Sequence, residues 1–537
     1  MPPLGGRWRH SRLRGFFSFP LSVRKRTALP QGEPIFSSYA DLREDTPSLD
    51  KSLRILYNFF NLCIIRENCM IEKLVSGVND ALYSYILIVI LVLGGLYFTF
   101  RTKFVQFRLF GEQIRAVTEK PGKAGGVSSF QALMVSTASR VGTGNIIGVS
   151  TALCLGGFGS VFWMWVIAIV GSASAFVEST LAQIYKKRGP DGAYGGPAYY
   201  IEGALKSRAL AVVFSAFLIL TYGIGFNMLA SYNLQSTFSS YGFYEKAPAV
   251  WPWIIGAVIA GLVCFCLFGG GKRIIQATSF MVPFMGVAYI LVAVIIVCLN
   301  ITALPGILQR IFTEAFDLKA IFGGFSGSCV MFGIKRGLFS NEAGVGSAPN
   351  ASASADVAHP VKQGLVQVLS VFIDTILVCS ATAFMCMSSG IEPTEKLSGA
   401  PYVQAALTEA LGAFGPVFIT VAMILFAFTT LLGNLYYVDK AICHVMNKVP
   451  SKAFYAVYYV IASLVIFVGA GLSADLLWGI ADITMGIMTL INMPVIIILG
   501  RYAYRALDDY QRQRKEGKTP VFKAKDIGLR DKTDYWN

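Results

Sequence analysis

The residues of this chain that could do chemistry are few, mostly uncharged, and set inside apolar sequence. The first group is RVGTGNIIG, Arg140 to Gly148. Gly142, Thr143 and Gly144 in succession are poor helix material, and lipid penalises every unpaired backbone amide. An interrupted span is tolerated where it lines a protein-enclosed cavity; a small-residue patch letting two helices approach closely is the alternative. A break would free the amides of one half-helix, which suit a carboxylate, and the carbonyls of the other, which suit a cation. Thr143 adds a hydroxyl, and Asn145 adds a donor and an acceptor.

The same vocabulary returns in GLFSNEAGVGS, Gly337 to Ser347. Phe339 could wall off an apolar side chain, while Ser340 and Asn341 could meet a polar end. Arg336, Asn341 and Gly344 repeat Arg140, Asn145 and Gly148 at one offset, each pair lying 196 positions apart. That shift also lays Ser370, Phe372, Asp374 and Thr375 onto Ser174, Phe176, Glu178 and Ser179. Paired interrupted segments in two halves of a chain are a sequence pointer to a transporter's binding site.

Glu178 and Asp374 are acids within apolar runs, in the matched sequences FVES and FIDT. An intramembrane acid is functional or paired. Arg140, Arg336 and the amides freed at a break are candidate partners, and coordination of a small cation is the other role. In LFAFTTLLGNLYYVD, Thr429 and Thr430 precede Gly433 and Asn434. Their hydroxyls either bond back to their own helix or serve as hard oxygen donors for Na⁺. With three histidines in the whole chain, a histidine proton relay has little support, which favours Na⁺ over H⁺. No GxxxxGK[ST] phosphate loop, nucleophile elbow or HExxH occurs, so neither ATP-driven pumping nor enzymatic catalysis has a motif to rest on.

The elements that must position these residues follow from composition. Of 537 residues, 54% are hydrophobic and 14% charged. A soluble domain carries about 25% charged residues, so the class is a polytopic membrane protein in a lipid bilayer. The net charge of +15 is spread through loops between apolar runs, which argues against a nucleic-acid partner. The ten cysteines form no CxxC pair and read as packing residues. Eleven spans are expected, centred near Val89, Gly144, Ile167, Leu220, Ala260, Tyr289, Met331, Leu377, Leu425, Ile461 and Gly486. Lys and Arg fall in alternate loops (Arg101 to Lys123, Lys186 to Arg208, Lys272 and Arg273, Lys362, Lys440 to Lys452, Arg501 to Arg514). The positive-inside rule then gives an external N-terminus and a cytoplasmic C-terminus.

Setting aside the first span leaves two groups of five. Five is odd, so equivalent helices of the halves run in opposite directions, an inverted 5+5 repeat (spans 2–6 and 7–11). Residues 70–505 form the transporter domain, with repeats at about 129–300 and 315–500, followed by a polar cytoplasmic tail, 506–537. Residues 1–69 are basic and acid-poor at the start. They read as a disordered extension, a removed targeting segment, or sequence ahead of a true start at Met70.

SRVGTGNIIGVSTALCLGGFGSVFWMWV (Ser139 to Val166), FVESTLAQIYK, GGPAYYIEGAL and GIKRGLFSNEAGVGSAPNASASADVAHPVKQGL (Gly333 to Leu365) resemble the alanine or glycine:cation symporter family. VFIDTILVCSATAF and LFAFTTLLGNLYYVDKA extend the likeness, which covers about Met70 to Arg505. The resemblance implies an all-α, leucine-transporter-like core preceded by one extra helix, in the cell (inner) membrane. It further implies Na⁺-coupled uptake of a small neutral amino acid, with no cofactor beyond the coupling ion. By motif, the substrate site would take Thr143, Gly144, Asn145, Phe339 and Ser340, with Asn227 nearby; Asn341 and Asn434 complete the expected set. Na⁺ would meet carbonyls around Ser139 and Gly142 and the hydroxyls of Thr429 and Thr430. The chain departs from the pattern at Ala230, where Gln is frequent, and at Asn434, where some members have Trp; Phe158 and Ala198 differ too. Loss of Gln and Trp would enlarge the pocket and leave the choice of amino acid open. Proton-coupled symport, a channel, and a non-transporting amino-acid sensor are the competing readings.

Overall fold

The computed structural model describes residues 75–536, apart from 76, 80, 123–125, 190–191, 318–327 and 530–532. The expectations for residues 1–69 and for a start at Met70 lie outside the described residues. Helices dominate: α1 (Ile88–Arg101), α2 (Ser129–Arg140), α3 (Val149–Gly156), α4 (Gly159–Ile184), α5 (Arg208–Ser236), α6 (Trp251–Leu267), α7 (Gly270–Leu299), α8 (Cys329–Asn341), α9 (Pro360–Ser388), α10 (Phe414–Met446), α11 (Lys452–Gly469) and α12 (Ala474–Lys515). Seven of them (α4, α5, α7, α9, α10, α11 and α12) are long and apolar enough to cross a membrane. α1, α6 and the segment Gly144–Gly156 are shorter apolar helices, and α8 has 13 residues.

One short element among the described residues is extended and not helical. After α4, Lys187–Gly189 and Gly192–Tyr194 form a two-stranded antiparallel hairpin, closed by the pair Gly189 and Gly192. Gly192, with φ 119°, takes a backbone conformation that costs glycine no Cβ clash.

α4, α9 and α10 are mostly buried, whereas α7 and α11 turn large apolar side chains such as Phe280, Phe284, Val457 and Ile461 outward. Helices with polar inner faces thus sit at the centre and uniformly apolar ones at the periphery, the order a lipid solvent imposes.

Both expected interruptions are present. α2 is started by a capping box between Ser128 and Gln131 and stops at Val141, whose ψ of 86° leaves the helical region. Beyond Gly142 a π-helical stretch, Gly144–Gly148, leads into α3. α8, capped by Ser328, ends at Glu342 in the left-handed conformation with φ 52°. Gly344 follows with φ 85°, a conformation glycine adopts without a Cβ penalty. The second break therefore lies after Phe339, Ser340 and Asn341. The capping serines Ser128 and Ser328 stand 200 positions apart, four more than the offset of Glu178 and Asp374.

The basic loops share one end of the bundle. Arg514 pairs with Glu112 at 2.7 Å and Lys362 with Glu119 at 2.7 Å. Arg188 Nε donates to the Asp534 carbonyl at 2.8 Å. α12 continues unbroken past residue 505 to Lys515. The segment beyond it is packed, with Phe522, Ala524, Ile527, Leu529 and Trp536 buried. The Lys186 ammonium lies 4.7 Å from the Tyr535 ring centre and 5.0 Å from that of Trp536.

Candidate functional site

The first break is pressed against α10. A Cβ on Gly142 would come within 2.0 Å of Thr430 Oγ1, and one on Gly433 within 2.7 Å of the Ser139 amide nitrogen. Only glycine permits that approach. It brings Ser139 Oγ to 2.7 Å of Asn434 Oδ1, and Asn434 in turn donates to Asn227 Oδ1 at 3.0 Å. The two adjacent threonines divide their roles. Thr429 donates to its own helix, to the carbonyls of Leu425 at 3.0 Å and Phe426 at 3.1 Å. Thr430 Oγ1 is buried with no hydrogen-bond partner and faces Gly142.

The intramembrane acids serve the breaks crosswise. Asp374, in a π-helical stretch of α9, accepts from Asn145 Nδ2 at 2.7 Å and from Ser340 Oγ at 2.8 Å. It therefore ties the first break to the residues just ahead of the second. Glu178, on α4, accepts from Asn492 Nδ2 at 2.9 Å and from the Gly344 amide at 3.4 Å, inside the second break. Glu178 thus supports the second interruption and Asp374 the first, while Asp374 also holds Ser340 of α8. Asn145 closes its own break as well, since its Oδ1 accepts from the Gly142 amide at 2.8 Å. Asn341 Oδ1 accepts from the Ala343 amide at 3.1 Å.

Between the breaks lies a cavity of about 20 Å³, lined by Ser139, Arg140, Gly142, Thr143, Gly144 and Thr430 on one side and Phe226, Leu229 and Phe339 on the other. Roughly one small ion or water fits that volume. The Phe339 ring forms its lid, packed at a tilt between Phe226 at 4.4 Å and Trp478 at 4.7 Å. Of the residues expected at a ligand, Thr143, Gly144 and Phe339 form walls, as do Ser139, Gly142 and Thr430 of the cation set. Asn145, Asn227, Ser340, Asn341 and Asn434 stand behind the walls and hold them through the bonds described above. Ala230 is buried outside the lining.

The buried arginines have different partners from those expected. Arg140 Nη1 donates to Gln367 at 2.9 Å, while its Nε and Nη2 are without partners. It faces Glu178, Glu342 and Asp374 only through longer-range attraction. Arg336 meets neither Glu178 nor Asp374. It lies 3.5 Å from Asp482 and 3.9 Å from the Trp478 ring centre.

Sequence reasoning passed over four residues near this site. Glu342, at the C-cap of α8, accepts from Ser347 at 2.6 Å and has Ser139 Oγ at 3.2 Å. Asn233 donates to Thr143 Oγ1 at 3.1 Å, Gln367 holds Arg140, and Asn492 holds Glu178. Glu342 carried a signal, being an acid inside an apolar run. The amides had none, because their partners are 90 to 314 positions away. Among the described residues no group of three or more His, Cys, Asp or Glu gathers as a metal cluster. Of the side-chain oxygens in the cavity wall, that of Thr430 is without a hydrogen-bond partner.

Comparison with known proteins finds relatives along most of the chain. A family model described as "Sodium:alanine symporter family" matches residues 68–524. The amino-acid carrier protein AlsT of Bacillus subtilis is 43% identical over 465 residues, covering 87% of this chain and 97% of the relative. The probable sodium/glutamine symporter GlnT of the same organism is 42% identical over 455 residues, 84% of this chain and 93% of the relative. The sodium/alanine symporter AgcS of Methanococcus maripaludis is 36% identical over 440 residues, 80% of this chain and 94% of the relative. With the match running through both interrupted helices, the chain belongs to the sodium:alanine symporter family, a family of membrane transporters.

Proposed function

We propose that this protein takes up a small neutral amino acid, alanine or glycine, together with Na⁺ by alternating access, with substrate bound where spans two and seven are interrupted. The observation that carries the proposal is the crosswise support of two broken helices around one small cavity. Half-helix ends at a break carry the partial charges that recognise a carboxylate and a cation in lipid. Reciprocal service by Glu178 and Asp374 also supports the reading of two inverted five-helix halves behind one extra helix, eleven spans in all.

Cation coupling has an electrostatic basis. Three enclosed carboxylates (Glu178, Glu342 and Asp374) face one guanidinium, Arg140. Any charged carboxylate beyond the first has no second guanidinium to balance it, and a bound cation would do so. In this reading Na⁺ takes the Thr430 hydroxyl and carbonyls near Ser139 and Gly142. Substrate contacts Thr143, Gly144 and Phe339, which Asn145, Asn227, Ser340, Asn341 and Asn434 position. Thr429, bonded to its own helix, supports Thr430 without touching the ion. With the basic loops cytoplasmic, as in bacterial inner-membrane proteins, the C-terminus is inside.

The test is radiolabelled uptake into proteoliposomes. Alanine or glycine uptake should saturate and rise with an inward Na⁺ gradient. Uptake indifferent to Na⁺ but driven by a pH gradient would replace Na⁺ with H⁺. Uncoupled flux would indicate a channel, and binding without counterflow a sensor.

A further inference from the structure

One surface element carries its polar and apolar faces the opposite way round from a helix in water. Beyond α1 the chain forms two short helical segments, Val105–Arg108 and Phe110–Thr118, joined at Leu109. Their glutamines, Gln106 and Gln113, are fully buried, whereas Phe104, Phe107, Phe110 and Ile114 are half-exposed. The buried amides are used inside: Gln106 Nε2 donates to Thr99 Oγ1 at 3.1 Å, and Gln113 Nε2 to the Gln106 carbonyl at 2.9 Å. The exposed apolar residues recur at steps of three and four, so they form one stripe. That stripe continues the outward face of α1, where the Phe100 ring meets Phe104 edge-on at 5.5 Å. An apolar patch continuous with an apolar helix of a membrane protein is covered by lipid.

Cations border the stripe, and acyl chains do not tolerate them, so the surface sits at headgroup level. Arg108 and Arg115, seven residues apart, share one side of the helical path, and Lys103 precedes them at the turn. All three are exposed. The turn itself brings two of them together. Lys103 and Phe104 are successive non-glycine residues in the left-handed region, with φ 54° and 56°, a strained arrangement that needs support. Arg108 supplies it, donating from Nε to the Lys103 carbonyl and from Nη2 to the Thr102 carbonyl, both at 3.1 Å. The guanidinium is thereby fixed at the backbone of Lys103. The acids of the stretch are engaged by other groups. Glu112 accepts from Arg514 at 2.7 Å and from Tyr510 at 2.8 Å, with Arg115 at 4.0 Å. Glu119 pairs with Lys362 at 2.7 Å.

We propose that this surface binds an anionic phospholipid of the leaflet at the basic end of the bundle, with Lys103, Arg108 and Arg115 on the headgroup and Phe104, Phe107 and Ile114 on the acyl chains. A guanidinium and an ammonium both recognise phosphate oxygens. The preference for an anionic lipid follows from competition. A zwitterionic headgroup carries its own cation, which already neutralises the phosphate, whereas phosphatidylglycerol leaves that charge to the protein. The inner face of the same element holds α12 through Glu112 and α1 through Gln106, so a lipid on the outer face fastens those helices together.

The test is native mass spectrometry of the purified full chain, delipidated in detergent, with phosphatidylglycerol or phosphatidylcholine of identical acyl chains, alongside thermal unfolding. The wild type should hold phosphatidylglycerol about tenfold more tightly or better, the scale set by two cations near an anionic headgroup, and should unfold at a higher temperature with it. Lys103→Gln with Arg115→Gln removes two cations and leaves Arg108 to hold the turn; the preference should disappear while unfolding without lipid stays unchanged. Lys448→Gln with Lys452→Gln removes the same charge from another basic loop and should keep the preference. Phe107→Ser with Ile114→Ser should weaken both lipids alike, and unchanged binding there would overturn the acyl contact. Equal binding of the two lipids by the wild type would overturn the anionic preference. A preference unchanged in the Lys103 and Arg115 variant, or lost equally in the Lys448 and Lys452 variant, would overturn the location. Equal stabilisation by inorganic phosphate at the same concentration would replace the lipid with a free anion.

Discussion

Gly142→Ala addresses the tightest contact in the site. The new Cβ would stand 2.0 Å from Thr430 Oγ1, 3.1 Å from Thr430 Cβ and 3.3 Å from its Cγ2. Non-bonded carbon and oxygen rarely approach within 3 Å, so α2 and α10 must separate by roughly 1 Å or Thr430 must leave its rotamer. Overpacking of this kind costs about 1–3 kcal/mol. If all of it falls on the ion-bound state, at about 1.4 kcal/mol per tenfold, Na⁺ half-saturation rises roughly 5- to 140-fold. Two companions separate sterics from coordination. Thr430→Val keeps the shape and removes the oxygen, so it should leave thermal stability nearly unchanged yet weaken Na⁺ about tenfold or more. Gly142→Ala with Thr430→Ala removes the 2.0 Å clash, so it should recover thermal stability without recovering Na⁺ dependence, a coupling the double-mutant cycle measures. Na⁺-titrated alanine uptake and thermal unfolding in detergent supply both readouts. Unchanged Na⁺ half-saturation in Thr430→Val would refute the reasoning, since the hydroxyl would then be packing alone.

Three further outcomes follow from other contacts. Asp374→Asn turns one acceptor oxygen toward its bonds with Asn145 and Ser340 into a donor; at about 1.5–3 kcal/mol for a charged hydrogen bond, uptake should fall more than tenfold. Normal uptake with normal folding would show that the two breaks do not depend on this bridge. Trp536→Ala removes the indole that donates to the Gln183 carbonyl at 2.8 Å and packs on Phe522 at 5.4 Å. The C-terminal segment should then become cleavable by trypsin at Lys523 and Lys525 under conditions that spare the wild type, and resistance would deny that this ring anchors it. His359 is buried against Tyr510 and Phe522, and its Nδ1 accepts from the Val361 amide at 3.3 Å. Burial pushes its pKa below the ordinary value of about 6.5 despite the nearby Asp509. The unfolded chain therefore binds the proton first: the stabilisation is complete above about pH 6.5 and is lost as pH falls below it. Thermal unfolding between about pH 5 and 7.5 should show a loss on acidification that His359→Gln lacks; equal slopes would sink the assignment.

Much of the architecture was legible because lipid leaves few choices. Apolar runs near the bilayer's thickness had to be helices, and Gly142 to Gly144 inside one of them pointed to an interruption or a close helix approach, of which the structure has both. Seven long apolar helices and both breaks are where the composition put them. The acids Glu178 and Asp374 were legible as partners for something, because burial forbids leaving them alone. The hairpin after α4 escaped, being a short polar connection with no periodicity to read.

Sequence alone fixed which residue types the site contains; tertiary structure decided which of them face the cavity. Asn145, Ser340 and Asn434 carry the same polar groups as Thr143 and Thr430, and nothing in their spacing says that their atoms are already bonded to Asp374, Ser139 and Asn227. Hydrogen bonds across hundreds of positions depend on where helices cross, and crossings are set by side-chain packing over whole faces. That Glu178 reaches the Gly344 amide and Asp374 reaches Asn145 is likewise invisible to an offset that only aligns the two acids with each other. Arg336 makes the same point. Its repeat with Arg140 is a fact of sequence, yet Arg140 lines the small cavity and Arg336 a separate one of about 900 Å³, because α12 brings Asp482 and Trp478 to Arg336 while α9 brings Gln367 to Arg140.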